Sequence, residues 1–253
     1  MMKWIVAFLV CTFYNLQHTS GQSHQLRVAV AANAQFVMKA LQADFKKKTG
    51  INTEVIVGSS GNLSAQIRNG APYDVFLSAD MEFPAILFKQ GLGITKPLEY
   101  ALGSLVVCST WNLEIAKWRS LLMQPVIGKI AVADPSLAPY GKAAEQALRH
   151  YGLWNKINSK LVLGQSISQV NTYITTGAVT LGFTTEALLY EYTGREKLKW
   201  TRVDKDVYED IRQGFIVLAY ARKGNYEAAM QFYKYLRSSP AKQILKQFGY
   251  QVP

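Results

Sequence analysis

The strongest constraint on the fold is an alternation of apolar, strand-like runs with helix-like segments from residue 26 to residue 92. The runs typical of buried strands are residues 26–32, 52–58 and 73–79. The segments with helical spacing of apolar residues are residues 34–50, 63–70 and 81–92. Gly50 follows the first helical segment as its expected end. This βαβαβα order predicts a parallel sheet with helices on both faces.

A second set of such segments follows. Its strand-like runs are residues 101–109, 129–134, 160–164, 179–185 and 213–221. Its helical segments are residues 141–154, 167–177 and 225–250, the last with a break at Pro240. The number of elements exceeds one compact sheet, so we predict two α/β lobes. The chain should cross near residues 101–106 and return near residues 214–220, which gives lobe 1 as residues 24–102 plus 217–253 and lobe 2 as residues 103–216.

Residues 1–21 predict a secretory signal peptide, because Lys3 precedes a short apolar run and small residues follow it. The run is too short for a membrane span, which takes about 20 apolar residues, and no later segment approaches that length. We therefore expect export to the periplasm without stable membrane insertion. Cys11 could be the acylated cysteine of a lipoprotein, but Val10 before it is bulkier than such sites prefer, so we expect no lipid there.

The sequence contains few candidate catalytic residues. Of the three histidines, His18 leaves with the predicted leader, His24 lies in the new N-terminus, and His150 is expected on a helix surface. A Ser-His-Asp hydrolase is therefore not indicated, and no cluster of His, Cys and carboxylates has metal-ligand spacing. We expect no catalytic residue and no metal held directly by side chains.

Polar residues follow several predicted strands, at the points where helices begin. They are Asn33, Ser59, Ser60, Ser78, Asp80, Tyr140, Ser166, Ser168, Thr184 and Thr185. In a doubly wound sheet these strand ends share one crevice, and helix starts there offer unpaired N–H groups with a partial positive charge. Each residue alone could simply cap its own helix. Taken together, they indicate an anion site that needs no buried Lys or Arg.

Several segments resemble the periplasmic molybdate-binding proteins that feed ABC importers. They are residues 28–50, 58–80, 130–148, 168–185 and 233–250, which leave little of the chain after the leader uncovered. Residues 70–80 are the most specific part, whereas the C-terminal segment is shared more widely among binding proteins. The resemblance implies a two-lobed periplasmic binding protein of type II. Each lobe would be a mixed, mainly parallel sheet flanked by helices, with the ligand in the cleft between the lobes.

The resemblance also implies a ligand, a partner and a set of contacts. The ligand would be molybdate or tungstate, with the metal bound only through its oxygens, no cofactor would be needed, and the partner would be an ABC transporter permease. Carried over by position, the contacts fall on Asn33, Ser60, Tyr140, Ile167 and Thr185, with Ile167 offering a backbone N–H. Ala32 and Ser59 are weaker candidates through their backbone amides. Some family members have Ser, Ala and Tyr where this chain has Asn33, Tyr140 and Thr185.

Other functions stay open. The cleft could hold another tetrahedral oxyanion such as sulfate or phosphate. The formal charge of +11 also suits an anionic partner, and two-lobed modules of this kind serve as effector domains of nucleic-acid-linked regulators. No helix-turn-helix segment precedes the lobes, however, so we expect no nucleic-acid partner. An enzyme acting on a phosphate or sulfate ester would need a base or metal that the sequence does not offer. We expect a monomer that closes by a hinge motion at the two crossovers.

Overall fold

The structure is a computed structural model that describes residues 25–194 and 197–253. The predicted leader, with Cys11 and His18, lies outside the described residues, as does His24. Among the residues described, no helix is both long enough and apolar enough to cross a membrane.

The first sheet has five strands in the order β2-β1-β3-β10-β4. They are β1 (Leu26–Ala31), β2 (Thr53–Gly58), β3 (Val75–Leu77), β4 (Leu98–Gly103) and β10 (Ile211–Val217). β1 pairs in parallel with β2 and β3, whereas β10 pairs antiparallel with β3 and β4. We refer to this sheet and the helices packed on it as lobe 1.

The second sheet repeats this pattern in the order β7-β6-β8-β5-β9. Its strands are β5 (Leu105–Ser109), β6 (Ile130–Ala133), β7 (Leu161–Gly164), β8 (Leu181–Thr185) and β9 (Lys199–Arg202). β6 pairs in parallel with β7 and β8, and β5 pairs antiparallel with β8 and β9. This sheet and its helices form lobe 2. Two mixed sheets flanked by helices confirm the predicted fold class, although parallel and antiparallel pairings are equally frequent in the described strands.

Nine α-helices in the described residues connect and cover these strands. They are α1 (Gln35–Thr49), α2 (Ser60–Arg68), α3 (Glu82–Lys89), α4 (Trp118–Leu121), α5 (Pro139–His150), α6 (Ile167–Thr175), α7 (Leu188–Glu191), α8 (Tyr226–Leu236) and α9 (Ser239–Gln247). α1 ends as predicted at Gly50, whose φ of 74° is the left-handed conformation that glycine adopts without strain. The predicted helix is broken at Arg237 and Ser238, and Pro240 lies in the first turn of α9, a position that tolerates proline. The Ser238 hydroxyl caps α9 by accepting a hydrogen bond from the Ala241 N–H.

Each sheet has its own apolar core. In lobe 1 the sheet packs on Phe45 of α1 and Phe232 of α8, whose rings meet edge to face at 5.0 Å. In lobe 2 Phe183 of β8 packs on Trp118 of α4, and their rings meet in the same way at 5.3 Å. Burying each such side chain contributes roughly 1.5–3 kcal/mol, so each lobe has enough apolar packing to hold its strand ends in place.

The structure differs from the prediction at both crossings between the lobes, in the strand at the first crossing and in the position of the second. Residues 101–109, predicted as one strand, are divided at Ser104 into β4 of lobe 1 and β5 of lobe 2. The return was predicted near residues 214–220, with lobe 2 extending to residue 216. All of β10 lies in the first sheet, so the return lies before Ile211. The apolar run becomes obvious only at Phe215, because Arg212 and Gln213 interrupt the start of the strand.

The sequence prediction also missed β9. This edge strand, Lys199–Arg202, is mostly exposed to solvent and lacks an apolar face that would mark it as a strand. It pairs with β5 and forms one edge of the second sheet.

Candidate functional site

A small pocket lies between the lobes, where the carboxyl ends of strands from both sheets meet. The residues that line it are Ala31, Ala32, Asn33, Ser59, Ser60 and Ala79 of lobe 1 and Ala138, Pro139, Tyr140 and Ile167 of lobe 2. The lobe 1 residues follow β1, β2 and β3, and the lobe 2 residues follow β6 and β7. The pocket is far smaller than the roughly 300–1,000 Å³ of sites for drug-sized ligands, so its scale is that of a small ion.

Three helix N-termini converge on this pocket. Ser60 is the first residue of α2, Tyr140 the second of α5 and Ile167 the first of α6. The N–H groups at such positions have no partner within their helix, and each helix start carries about half a positive charge. Three starts pointing at one small volume make a site that attracts a negative charge.

Ser60 gives the lobe 1 wall a hydroxyl group. Its Oγ accepts a hydrogen bond from the Ala79 N–H at 3.0 Å, and the side chain is buried. In the described part of the chain its own proton has no acceptor, so the hydroxyl is free to donate to a ligand. Ser59 behaves differently, because its Oγ accepts from the Asn62 N–H at 3.3 Å and caps α2.

Asn33 also belongs to the lobe 1 wall, but its side chain is used within the protein. It lies in a short 3-10 turn, Ala32–Ala34, that leads from β1 into α1. Its Nδ2 donates to Gln213 Oε1 at 2.8 Å and to the Tyr250 hydroxyl at 3.4 Å. The side-chain amide of Asn33 therefore ties the site to β10 and the C-terminal segment.

The lobe 2 wall presents main-chain groups. The Ile167 side chain is buried in the lobe 2 core, which leaves the backbone N–H as its polar group. The Tyr140 ring is also buried, and its hydroxyl accepts hydrogen bonds from Thr185 Oγ1 at 3.2 Å and from Gln213 Nε2 at 3.3 Å. With its hydroxyl bound there, Tyr140 lies at the pocket as the second residue of α5.

The structure thus brings four of the five predicted residues, Asn33, Ser60, Tyr140 and Ile167, to one pocket. Thr185 does not line it. Its hydroxyl donates to Tyr140 and accepts from the Ala187 N–H at 3.3 Å. Gln213 and Tyr250 are polar residues next to the site that the sequence prediction missed. A glutamine at the start of the apolar run of β10 was the available signal.

The electrostatics of the pocket come from dipoles, since none of the described residues that line it is charged. Burial raises the pKa of the Tyr140 and Tyr250 phenols, so both remain protonated hydrogen-bonding groups at neutral pH. Lys142 lies outside the lining, on exposed surface between Glu82 at 3.9 Å and Glu209 at 3.5 Å. In the described residues no cluster of three or more His, Cys, Asp or Glu side chains could hold a metal ion.

Direct contacts between the lobes close the pocket. The Gly61 N–H of α2 donates to the Leu137 carbonyl at 2.9 Å, and Ser168 Oγ of α6 donates to Gln35 Oε1 of α1 at 2.9 Å. Asn33, Ser60, Tyr140 and Ile167 are each at most 3% exposed. The pocket is therefore enclosed between the two lobes in this structure.

A larger and more open pocket lies on the hinge side, between Ser104, Tyr250 and the end of β9. The buried carboxylate there, Glu186, already accepts two hydrogen bonds from the Arg202 guanidinium, at 2.9 and 2.5 Å. Because these charges satisfy each other and the helix starts lie elsewhere, we place the candidate site in the smaller pocket.

Comparison with known proteins agrees with this geometry. Residues 26–251 match the family model of the bacterial extracellular solute-binding proteins. The chain is 34% identical over 232 residues to the molybdate-binding protein ModA of Azotobacter vinelandii, covering 91% of each chain. It is 33% identical to ModA of Rhodobacter capsulatus, covering 88% of this chain and 86% of that one. The solved structure of the Azotobacter vinelandii periplasmic molybdate-binding protein superposes with a TM-score of 0.85 at 32% identity, covering 90% of this chain and 100% of the other.

Proposed function

The chain belongs to the bacterial extracellular solute-binding protein family, and from that membership we propose that it captures molybdate between its lobes and delivers it to an ABC importer. It is a transport binding protein and not an enzyme, and molybdate is its ligand, with no cofactor required. The partner is the permease of the importer, which would receive the anion when the lobes open.

One observation carries the proposal: the closed pocket is lined by uncharged residues and receives three helix starts from two lobes. A tetrahedral anion has four oxygens that each accept hydrogen bonds, and here donors approach from opposite sides. A buried Lys or Arg would attract any anion, whereas a fixed set of N–H and O–H donors discriminates by size and by protonation.

We assign the donors as follows. Ser60 contributes its hydroxyl and backbone N–H, and Asn33, Tyr140 and Ile167 contribute backbone N–H groups. Ala32 and Ser59 also line the pocket, and their backbone amides are weaker candidate donors. Thr185 acts through the Tyr140 hydroxyl and not on the anion itself. Molybdenum would be held only through its oxygens.

This donor set determines the selectivity we propose. A protonated phosphate brings a hydrogen that meets only donors, and an unmatched polar group in a dry site costs about 1–3 kcal/mol. Sulfate has the right charge but is smaller, so its hydrogen bonds would be long and weak. Tungstate matches molybdate in both charge and size, so we propose it as a second ligand.

Calorimetric titration of the mature protein with molybdate, tungstate, sulfate and phosphate tests the proposal. We expect molybdate and tungstate to bind within about tenfold of each other, and sulfate and phosphate at least about 100-fold more weakly, a difference of about 2.7 kcal/mol. If sulfate or phosphate binds more tightly than molybdate, the ligand is that oxyanion and the proposal of molybdate is wrong. No binding of any of the four would reject an oxyanion site.

We further propose that residues 1–21 direct export, that the mature protein is a periplasmic monomer, and that Cys11 leaves with the leader. N-terminal sequencing and mass measurement of the exported protein test this. The expected N-terminus lies close to Gln22 with no attached lipid. A lipid-modified Cys11 at the N-terminus would make the protein a membrane-anchored lipoprotein instead.

A further inference from the structure

Tyr140 has two ends with different surroundings. Its main chain lies at the pocket, at the start of α5 in lobe 2. Its hydroxyl reaches the first sheet, where Gln213 Nε2 of β10 donates to it at 3.3 Å. Any side chain at position 103 would collide with this hydroxyl, because a Cβ on Gly103 would lie 2.0 Å from the Tyr140 hydroxyl oxygen. Glycine at the end of β4 therefore leaves the space into which lobe 2 inserts this hydroxyl.

Gln213 has a fixed orientation. It is fully buried, next to an irregularity in the pairing of β10 with β4. Its Oε1 accepts hydrogen bonds from Asn33 Nδ2 and from the Tyr100 hydroxyl, both at 2.8 Å. A flipped amide would place its NH₂ against these two donors, so the two bonds hold Nε2 toward Tyr140.

We propose that the Tyr140 hydroxyl is a closure latch, which binds Gln213 of lobe 1 in the closed state and so joins the closing of the cleft to the placement of Asn33. The inference rests on the proposed function, because it assigns a positioning role beside the molybdate site. The side-chain amide of Gln213 links one pocket residue from each lobe. Its oxygen accepts a hydrogen bond from Asn33 of lobe 1, and its nitrogen donates one to Tyr140 of lobe 2.

The latch should act on release and not on capture. We expect hinge opening to move lobe 2 away from β10 and so to break the bond between Gln213 Nε2 and Tyr140. This bond lowers the free energy of the closed state, which also holds the ligand. The encounter of the ligand with the open protein does not involve this bond.

The first test is Tyr140→Phe, which keeps the ring and the backbone N–H but removes the hydroxyl. With sodium molybdate as the ligand in stopped-flow measurements, we expect dissociation to be about fivefold faster and association to change less than twofold. The matched control is Tyr235→Phe, which also removes a buried tyrosine hydroxyl from a hydrogen bond, to Asp44 at 2.9 Å, in the α1/α8 region of lobe 1. This control should leave both rates within twofold of the parent. Equal dissociation rates for Tyr140→Phe and the parent would overturn the latch.

A double-mutant cycle tests whether Gln213 is the partner. If the bond carries the effect, adding Tyr140→Phe to Gln213→Met should raise the dissociation rate less than twofold further. An undiminished fivefold increase in that background would show that the hydroxyl acts elsewhere.

The distance between the lobes gives a readout that does not depend on affinity. Spin labels on Lys39→Cys of lobe 1 and Lys156→Cys of lobe 2 would report it, since both positions are exposed. Cys108 is fully buried, and burial raises its thiol pKa to about 12, so it should not take up label. With saturating molybdate we expect Tyr140→Phe to show a larger open fraction than the parent, and an unchanged distribution would reject the latch. If the parent itself does not bind molybdate, the proposed function fails, whereas a parent that binds beside an unaffected Tyr140→Phe rejects only the latch.

Discussion

The lobe 1 wall of the pocket offers a side chain as well as main-chain groups, whereas the lobe 2 wall offers main chain alone. In lobe 1 the Ser60 hydroxyl lies at the pocket with its proton free to donate. In lobe 2 the Ile167 side chain is part of the core, and the Tyr140 hydroxyl is bound to Thr185 and Gln213. Two helix starts, those of α5 and α6, provide the donors of that wall.

Because of this difference, substitutions should affect the donors of the two walls differently. Every residue except proline carries a main-chain N–H, so the lobe 2 wall can keep its donors through most changes of sequence. The lobe 1 wall loses a donor when Ser60 is replaced. Substitutions should therefore have unequal effects on the two walls.

The largest effect is expected for Ser60→Ala, which removes the hydroxyl donor of the lobe 1 wall. A hydrogen bond to a charged group contributes about 1.5–3 kcal/mol, so affinity for molybdate should fall by about 50-fold in calorimetric titration. The matched control is Ser64→Ala, one turn further along the same helix. Ser64 is buried as well, but its hydroxyl has no hydrogen-bond partner in the described structure, so this variant should bind within twofold of the parent. Equal affinities for the two variants would remove the hydroxyl from the lobe 1 wall.

The next effect tests the lobe 2 wall by removing a main-chain donor. Ile167 is the first residue of α6, a position at which proline is tolerated by a helix, and Ser166 before it has the extended conformation that proline requires. Ile167→Pro should therefore keep the fold but lower molybdate affinity by about 20-fold. Ile167→Val keeps the N–H and should bind within threefold of the parent. If the proline and valine variants bind alike, the α6 start does not hold the ligand.

Much of the fold could be predicted from the sequence, because the apolar runs and helical spacing of residues 26–92 are regular. The strand ends of both lobes also follow from the pattern, since polar residues mark where strands give way to helices. The pattern predicts a crossing near residues 101–106, but it does not show that the strand-like run is divided at Ser104, because both halves of the run are apolar. Only tertiary pairing decides that each half joins a different sheet.

The roles of the site residues were harder to predict than their positions. A resemblance carries over side-chain identities, and so it indicated Tyr140 and Thr185 as polar contacts to the ligand. Which way a buried tyrosine points depends on the space around it, and Gly103 and Gln213, distant in sequence, provide that space. The sequence does not reveal this relation, because Tyr140 belongs to lobe 2 and is far in sequence from Gly103 and Gln213 of lobe 1.

A smaller effect on molybdate affinity is expected where Gly61 of lobe 1 contacts Leu137 of lobe 2. A Cβ at Gly61 of lobe 1 would lie 3.1 Å from the Cα and the carbonyl oxygen of Leu137 in lobe 2. Gly61→Ala should therefore strain only the closed state and lower molybdate affinity by about fivefold, a loss of about 1 kcal/mol. Gly128→Ala is the control, because a Cβ there makes ordinary contact at 3.5 Å within lobe 2, and it should leave affinity unchanged. An unchanged affinity for Gly61→Ala would mean that closure does not need this contact.

The smallest effect on binding is expected for Thr185→Val, and it separates the two walls most directly. Valine keeps the shape of the side chain but removes the hydroxyl that donates to Tyr140 and accepts from the Ala187 N–H. The loss of these bonds should cost about 1 kcal/mol of folding free energy, which lowers the melting temperature by about 2–4 °C. Molybdate affinity should stay within twofold, because Gln213 still holds the Tyr140 hydroxyl and no ligand donor is lost. A tenfold loss of affinity would place the Thr185 hydroxyl on the anion, as the family resemblance implied, and the lobe 2 wall would then use a side chain as the lobe 1 wall does.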